Sequence, residues 1–338
     1  MEINQKIAIR HDKVARIFSR KKKKDKSMQD LAIEIFGVKF NNPIWTASGT
    51  FGNGKEFQDF VDLRQVGAIL PKTITVHERK GNPLPRIVES SSGLINSIGL
   101  ENKGVEWFVK EVFPFLKATG TRIVVSVAGK NKEEFSECVT FLLAHCVPDA
   151  IEINLSCPNV AHANTKYSLF AQDPEASAEI VSAIKKIARV PLIAKLTPMV
   201  SDIREIAKSV ETAGAQAVAL VNTYPAMAID AETFKPLIGN ISGGLSGPAI
   251  KPMALKAVWD VYKSVKIPVI GIGGIMTGID VAEFMIAGAR AVQIGTVNFV
   301  DPGAYGRILK EFGDYLDRKK IKKSEELIGR LDVGSLAK

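Results

Sequence analysis

The chain has 338 residues, of which 46% are hydrophobic and 24% are charged, and a chain of this length can bury one large core or two modest ones. No apolar run approaches the roughly 20 residues that a membrane-spanning helix requires, and the N-terminus lacks a secretory signal, so we expect a cytoplasmic protein. The three cysteines, Cys138, Cys146 and Cys157, form no C-x-x-C pair, which argues against a disulfide framework and against an iron–sulfur cluster held within this chain.

Most of the net charge of +9 lies at the N-terminus. Residues 1–30 contain ten Lys and Arg against four acidic residues, a net of +6, which leaves +3 for residues 31–338. Such a tail could touch an acidic surface or anionic lipid, but we interpret it as a solvated, poorly ordered extension. The nearly neutral body gives no reason to expect a nucleic-acid partner or stable membrane insertion.

Short apolar runs recur along the rest of the chain. They are rich in Val, Ile and Leu and show little polar alternation, which is typical of parallel strands that are covered on both faces. The predicted strands are 42–48, 67–73, 122–129, 150–156, 191–198, 217–223, 267–274 and 290–296.

Segments with helical character separate these runs. Asp173 is a predicted N-cap followed by Pro174 in the first turn, and Ser201 or Asp202 caps a second helix that stops at Gly214. Residues 251–265 and 278–289 fill the gaps before the last two strands.

Alternation of eight strands with helices predicts an α/β protein of the (β/α)8 barrel class, so that residues 31–338 form one catalytic domain. A doubly wound open sheet is the alternative, but the first strand is followed by "ASGTFG" rather than G-x-G-x-x-G. Residues 75–105 and 224–250 are long connections, and we expect them to extend over the barrel mouth rather than to form separate domains.

The last two predicted strands end in glycine. Gly273 and Gly274 end one predicted strand, and Gly295 and Thr296 end the other. Barrels often bind phosphate after strands seven and eight, where bare backbone N–H groups can approach it. Glycines at tight turns are the simpler interpretation of each site alone, but the two together favour a phosphorylated cofactor or substrate.

Lysines and asparagines end other strands. Lys72 and Lys195 need an anion, which is either a neighbouring carboxylate or an anionic ligand such as a reduced flavin. Four asparagines could form hydrogen bonds with a heterocycle that has amide-like edges, although each could also be a turn former. They are Asn96, Asn154, Asn159 and Asn222.

Cys157 lies three residues past Asn154, on the loop that follows a predicted strand. A thiol in that place can act as a base or a nucleophile. We interpret Cys138 and Cys146 as ordinary buried thiols. The four histidines have no metal-like spacing, and His162, although near Cys157 in sequence, is more simply a solvated loop residue.

Several motifs carry a family resemblance. They are "NSIGLENKG" (96–104), "EINLSCPNV" (152–160), "GGLSGPAIKP" (243–252), "IGIGGI" (270–275) and "QIGTVNF" (293–299). In this order they resemble class 1 dihydroorotate dehydrogenases, most closely the NAD-linked class 1B catalytic subunit, and the resemblance covers about residues 31–320.

The resemblance implies an FMN-binding barrel, with one FMN per chain, that oxidises dihydroorotate to orotate in de novo pyrimidine (UMP) biosynthesis. It implies that Cys157 removes the C5 proton while a hydride passes from C6 to flavin N5. Membrane-bound relatives would carry serine at this position, so the cysteine argues against the quinone-linked class despite the basic tail.

The resemblance also assigns the site residues. Lys195 would stabilise the anionic reduced flavin near N1, and Lys72 would offset negative charge of flavin or substrate. FMN would contact Ser48, Lys72, Thr73, Ser126, Asn154, Lys195, Val221, Gly247, Gly273, Gly274, Gly295 and Thr296. Substrate would contact Lys72, Asn96, Ser97, Ile98, Gly99, Leu100, Asn154, Asn222 and Thr223.

Two features depart from the family pattern. Ser126 stands where class 1B chains usually have asparagine, which would shorten that contact with FMN. The loop after Cys157, "AHANTKYSLFAQDPE", is longer than the usual glycine-rich form, which bears on gating and substrate choice.

For turnover with NAD, the resemblance implies a partner subunit that carries FAD and a 2Fe-2S cluster, in a heterotetramer built on a homodimer of catalytic chains. Three alternatives remain open: a fumarate-linked class 1A homodimer, the FMN barrel subunit of a dihydropyrimidine dehydrogenase, and a non-catalytic barrel that binds nucleic acid or membrane through its tail. The "NSIGL" segment favours orotate over uracil or thymine.

Overall fold

Eight parallel strands close into a barrel in the computed structural model, which describes residues 30–155 and 170–334. We number these strands β1–β8 in chain order, and each one pairs with the next, with β8 closing on β1. They span Ile44–Thr46, Ala68–Ile69, Arg122–Val127, Ala150–Asn154, Leu192–Lys195, Ala217–Leu220, Val269–Ile272 and Ala289–Ile294. Each lies in or overlaps one predicted strand, so the predicted (β/α)8 class is confirmed.

Helices cover the outer face of the barrel. The connection from β1 to β2 differs from the others, because it contains two 3₁₀ turns, Lys55–Phe57 and Leu63–Gln65, in place of an α-helix. The α-helices span Gly104–Trp107, Phe113–Ala118, Lys132–His145, Pro174–Ile187, Ile203–Thr212, Lys251–Tyr262, Gly278–Ile286, Val297–Val300 and Ala304–Lys319, and a π-helical turn occupies Phe108–Val112. Further 3₁₀ turns lie at Phe170–Gln172, Pro248–Ile250 and Ser324–Leu327.

The predicted helix caps are present. The Asp173 carboxylate accepts hydrogen bonds from the backbone N–H groups of Glu175 (2.9 Å) and Ala176 (3.3 Å). Asp202, rather than Ser201, caps the next helix by accepting from Arg204 N at 2.9 Å. These bonds satisfy donors that the first helical turn leaves without partners, so the sequence fixes where both helices begin.

The barrel interior is filled by side chains rather than left as a pore. Small residues such as Ala150, Ala219 and Ala291 pack there with the indole of Trp45. A hairpin formed by Ile33–Ile35 and Val38–Phe40 adds its apolar residues to the same cluster. Arg122, the first residue of β3, donates from Nε to the Lys39 carbonyl at 2.9 Å, so the hairpin closes the N-terminal end of the barrel.

The opposite end is covered by a second sheet. Its four antiparallel strands, in spatial order, are Tyr224–Ala226, Gly243–Ser246, Gly93–Asn96 and Ile87–Ser90. They come from the two long connections that the sequence analysis placed over the mouth. A short ladder, Ile229–Asp230 with Lys235–Pro236, extends from the second connection.

No helix in the described ranges is long and apolar enough to cross a membrane. In the same residues, no three His, Cys, Asp or Glu side chains gather as a metal site would require.

Candidate active site

The carboxyl ends of the barrel strands and the inner face of the covering sheet enclose a cavity of about 410 Å³. The cavity wall contains all of the predicted flavin and substrate residues that the structure describes, with the exception of Ser126. The lining residues at or just after the ends of β1, β2, β4, β5 and β6 are Ser48, Lys72, Thr73, Asn154, Lys195, Val221, Asn222 and Thr223. The other predicted residues in the wall are Asn96, Ser97, Ile98, Gly99, Leu100, Gly247, Gly273, Gly274, Gly295 and Thr296.

Ser126 lies behind this wall. It is fully buried on β3, and its hydroxyl accepts a hydrogen bond from Thr73 Oγ1 at 3.0 Å. Thr73 does face the cavity. The serine is therefore linked to the cavity wall by its hydrogen bond with Thr73, and a direct contact between Ser126 and FMN stays a prediction.

Lys72 presents a cation without a matching anion. Its ammonium lines the cavity, and no carboxylate of the described residues lies within ion-pair distance of it. Burial lowers the pKa of Lys72, an effect that the nearby charge of Glu101 opposes and that of Arg86 reinforces. A partly buried cation of this kind is ready to accept an anionic ligand.

Lys195 differs, because it is already paired. Its Nζ lies 3.6 Å from Glu152 Oε1 and 3.3 Å from Ser48 Oγ. Glu152 is fully buried on β4 and completes its hydrogen bonding with Gln293. Of the two interpretations of the strand-end lysines, the neighbouring carboxylate therefore holds for Lys195.

The ends of β7 and β8 expose bare backbone. None of the described residues accepts a hydrogen bond from the backbone N–H of Gly274, Gly295 or Thr296. Gly273 and Gly274 have φ values of 130° and 73°, and a Cβ at Gly274 would lie only 2.7 Å from the Gly247 carbonyl oxygen. Gly273 and Gly274 therefore require glycine, and the N–H groups of Gly274, Gly295 and Thr296 are available to an anion such as phosphate.

Polar side chains of the covering sheet complete the wall. Asn96 Nδ2 donates to the Gly244 carbonyl at 3.2 Å, which joins the two long connections. Thr296 Oγ1 donates to Ser246 Oγ at 2.8 Å, which fixes the covering sheet to the end of β8. The covering sheet is thus tied to the barrel directly, through the bond between Thr296 and Ser246.

The segment 96–100 is fixed in shape. Gly99 and Leu100 both adopt positive φ, 76° and 55°, and a side chain at Gly99 would collide with Asn82, whose backbone N would lie 2.6 Å from the added Cβ. Asn82 Nδ2 also donates to Ser97 Oγ at 2.7 Å. The turn at Gly99 and Leu100 and the contacts with Asn82 therefore hold this cavity-lining segment in one shape.

Cys157 lies outside the described residues, as do Asn159 and His162. The chain reaches Asn154 and Leu155 at the carboxyl end of β4 immediately before this segment, and Asn154 lines the cavity. The base assigned to Cys157 stays a prediction. Cys138 and Cys146 are buried, as predicted, and burial raises the pKa of each thiol to about 12.

Two residues of this region were missed in the sequence. Glu152 and Gln293 lie inside the barrel beneath the cavity. The signal was present, because a charged residue in the middle of the apolar run "AIEIN" needs a buried partner.

Comparison with known proteins identifies the family. The family model described as "Dihydroorotate dehydrogenase" matches residues 30–316. The chain is 48% identical over 306 residues to the "Dihydroorotate dehydrogenase B (NAD(+)), catalytic subunit" of Geobacter sulfurreducens, covering 90% of this chain and 99% of the relative. It is 50% identical over 304 residues to the protein of the same name from Caldicellulosiruptor saccharolyticus, covering 90% of this chain and all of the relative. The chain therefore belongs to the dihydroorotate dehydrogenase family.

Proposed function

We propose that this chain is the catalytic subunit of an NAD-linked dihydroorotate dehydrogenase, which oxidises dihydroorotate to orotate in pyrimidine biosynthesis. The observation that carries the proposal is the cavity at the carboxyl ends of β1–β8, which combines several amides with a lysine and backbone N–H groups that have no partner among residues 30–155 and 170–334. Family membership supplies the reaction class.

FMN fits this donor set. The N–H groups of Gly274, Gly295 and Thr296, which bond to no described acceptor, suit a phosphate group, and Ser48 and Lys195 place a hydroxyl oxygen and an ammonium group at the floor of the same cavity. When bound, FMN supplies the hydride acceptor.

The remaining steps belong to side chains. Lys72 balances the carboxylate of dihydroorotate, because it is the cavity cation that forms no ion pair with a carboxylate of the described residues. Asn154, Asn222 and Asn96 orient the ring through their amides, which pair with the amide-like edges of a pyrimidine. Cys157, three residues past the end of β4 in the sequence, takes the C5 proton.

The electron acceptor and the assembly are inferred from the relatives. Their names specify NAD(+) and a catalytic subunit, and a catalytic subunit implies a partner chain. We propose that this partner carries FAD and a 2Fe-2S cluster and that a homodimer of catalytic chains lies within the heterotetramer. One FMN binds per chain, and we propose a cytoplasmic location.

The function is tested with purified, FMN-loaded protein under anaerobic conditions. Dihydroorotate should bleach the flavin absorbance, and dihydrouracil should leave it unchanged. Bleaching by dihydrouracil alone would instead identify a dihydropyrimidine dehydrogenase subunit. Copurification from the native host followed by assays with NAD and with fumarate distinguishes the class 1B enzyme from the class 1A enzyme.

A further inference from the structure

A buried ion pair lies directly behind the cavity wall. Lys195 and Ser48 line the cavity, whereas Glu152 and Gln293 do not. Glu152 is fully buried and Gln293 is 1% exposed. The carboxylate therefore sits on the far side of the lysine from the space that a ligand occupies.

Among the described residues, the three side chains that form a hydrogen bond or an ion pair with Glu152 can each donate a hydrogen bond to it. Gln293 Nε2 lies 2.8 Å from Oε2, and Ser48 Oγ and Lys195 Nζ lie 3.2 and 3.6 Å from Oε1. Lys195 also donates to Ser48 Oγ at 3.3 Å, so the serine hydrogen points on toward the carboxylate. An ionised carboxylate satisfies all of these donors, and a buried charge is tolerated only with such partners.

Strand register explains why the pair is rigid. Lys195 is the register partner of Asn154, two residues beyond Glu152 on the same inward face of β4. Glu152 therefore lies one layer below the level of Lys195. The ammonium must bend down toward the carboxylate while it remains exposed to the cavity.

We propose that Glu152 is a positioning residue, which fixes Lys195 at the cavity floor and limits the positive potential that the lysine exerts on a bound flavin. The inference rests on the proposed function, because it presumes that FMN occupies the cavity. Reduction adds negative charge to the flavin, so a stronger positive potential favours the reduced form and a weaker one favours the oxidised form.

The first test is the midpoint potential of FMN bound to Glu152→Gln, titrated with a chemical reductant and a reference dye. Glutamine keeps the size of the side chain but removes its charge. We expect the reduced-to-oxidised ratio at a fixed potential to rise about tenfold, a positive shift of about 30 mV for a two-electron couple. A structural role alone would not produce a shift of defined sign.

Asp149→Asn is the matched control. Asp149 immediately precedes β4 and pairs with Arg122 at 2.8 Å, so this variant also removes one paired carboxylate charge. It does so about 10 Å away at the opposite end of the strand, and we expect less than a third of the shift. Equal shifts in the two variants, or a negative shift in Glu152→Gln, would overturn the proposal.

Lys195→Gln and the double variant Glu152→Gln/Lys195→Gln extend the test. Loss of the lysine alone leaves a buried, uncompensated anion, which opposes flavin reduction. We expect potentials in the order Glu152→Gln, wild type, double variant and Lys195→Gln, from highest to lowest. A double variant below Lys195→Gln would contradict the assigned role of Glu152.

Thermal unfolding of the flavin-free proteins provides a readout that needs no cofactor. Each single variant leaves one buried charge without its partner, and the double variant removes both. We expect the double variant to melt above both single variants, and it remains usable where Glu152→Gln does not fold. If the losses in melting temperature of the two single variants simply added in the double variant, the proposed coupling between Glu152 and Lys195 would be wrong. A wild-type protein that fails to be bleached by dihydroorotate, yet shows the expected order of potentials, would refute the proposed function and leave this inference standing.

Discussion

Asn154 and Lys195 are register partners on adjacent parallel strands. The last residue of β4 and the last residue of β5 thus stand side by side at the cavity, 7% and 5% exposed. A neutral amide and a cation are placed next to one another by strand pairing alone. Their spacing is set by the barrel and not by a loop, which is the rigidity that a site for a reactive ring requires.

Replacing Cys157 by alanine should separate binding from chemistry. All of the residues proposed to hold FMN lie outside residues 156–169, so the variant should retain FMN. Its flavin should be reduced by dihydroorotate about 10²–10⁴-fold more slowly, because a positioned base contributes that much. Stopped-flow absorbance measures this rate, and near-normal reduction would show that another group removes the proton.

Thiol labelling should single out Cys157. Burial raises the pKa of Cys138 and Cys146 to about 12, so at pH 8 neither forms an appreciable amount of thiolate in the native chain. We expect iodoacetamide to modify one cysteine in native protein and three after denaturation, as counted by mass spectrometry. Orotate should slow the native reaction, and native modification of Cys138 or Cys146 would contradict the buried state described here.

Lys72→Met should stabilise the flavin-free protein while it weakens ligand binding. Burial lowers the pKa of Lys72, so folding at neutral pH carries the cost of a desolvated charge. That cost is complete below the lowered pKa, where both folded and unfolded chains are protonated, and it declines as pH rises through that pKa toward the ordinary lysine value. We expect a gain of about 0.5–2 kcal/mol in unfolding free energy at pH 7.

The gain from Lys72→Met should shrink as pH increases above neutrality. Melting temperatures across pH 7–10 measure this trend, and the exposed Lys117, replaced by methionine, is the control. Orotate affinity, followed by perturbation of the flavin spectrum, should fall at least tenfold in Lys72→Met. Unchanged affinity would remove Lys72 from the proposed substrate site.

Gly295→Ala should reduce FMN affinity without harming the fold. An added Cβ would meet Ala47 Cβ at 3.4 Å and Thr50 at 3.6 Å, which are ordinary contacts with two residues of the cavity wall. The methyl group therefore occupies space beside a free N–H group and not space in the core. We expect weaker FMN retention on dialysis with an unchanged melting temperature of the flavin-free protein.

Gly306→Ala is the matched control for that variant. Gly306 lies in the helix Ala304–Lys319, and an added Cβ would have no atom within 4 Å. It should raise stability by about 0.5–1 kcal/mol, because alanine favours a helix over glycine, and it should leave FMN retention unchanged. A similar loss of FMN in both variants would argue against a phosphate site at Gly295.

Much of the architecture was predictable because each strand has its own local signal. The runs that contain Asn154, Lys195 and Thr296 are apolar and are bounded by helix starts, so the number and order of the strands follow from the sequence. In a parallel barrel the carboxyl ends of all strands lie at the same end, so these residues are expected to lie close together. The position of Glu152 within an apolar run indicates that it has a buried partner, but the identity of that partner depends on strand register. Only the pairing of β4 with β5 shows that its carboxylate lies under Lys195.

The covering sheet was also beyond local prediction. Residues 75–105 and 224–250 were expected over the mouth, but nothing in either segment indicates that Gly93–Asn96 pairs with Gly243–Ser246. The strands are short and rich in glycine, which weakens their sequence signal. Tertiary pairing decides their structure.

This pairing means that the covering sheet is built from two segments that lie far apart in the sequence. Asn96 and Gly244, joined by a hydrogen bond, are separated by 148 residues. During synthesis, Gly93–Asn96 cannot pair with Gly243–Ser246 until most of the barrel has been synthesised. For anyone who wishes to alter which ring this enzyme accepts, exchange of a single loop would leave a strand without its neighbour, so both segments have to be transplanted as a unit.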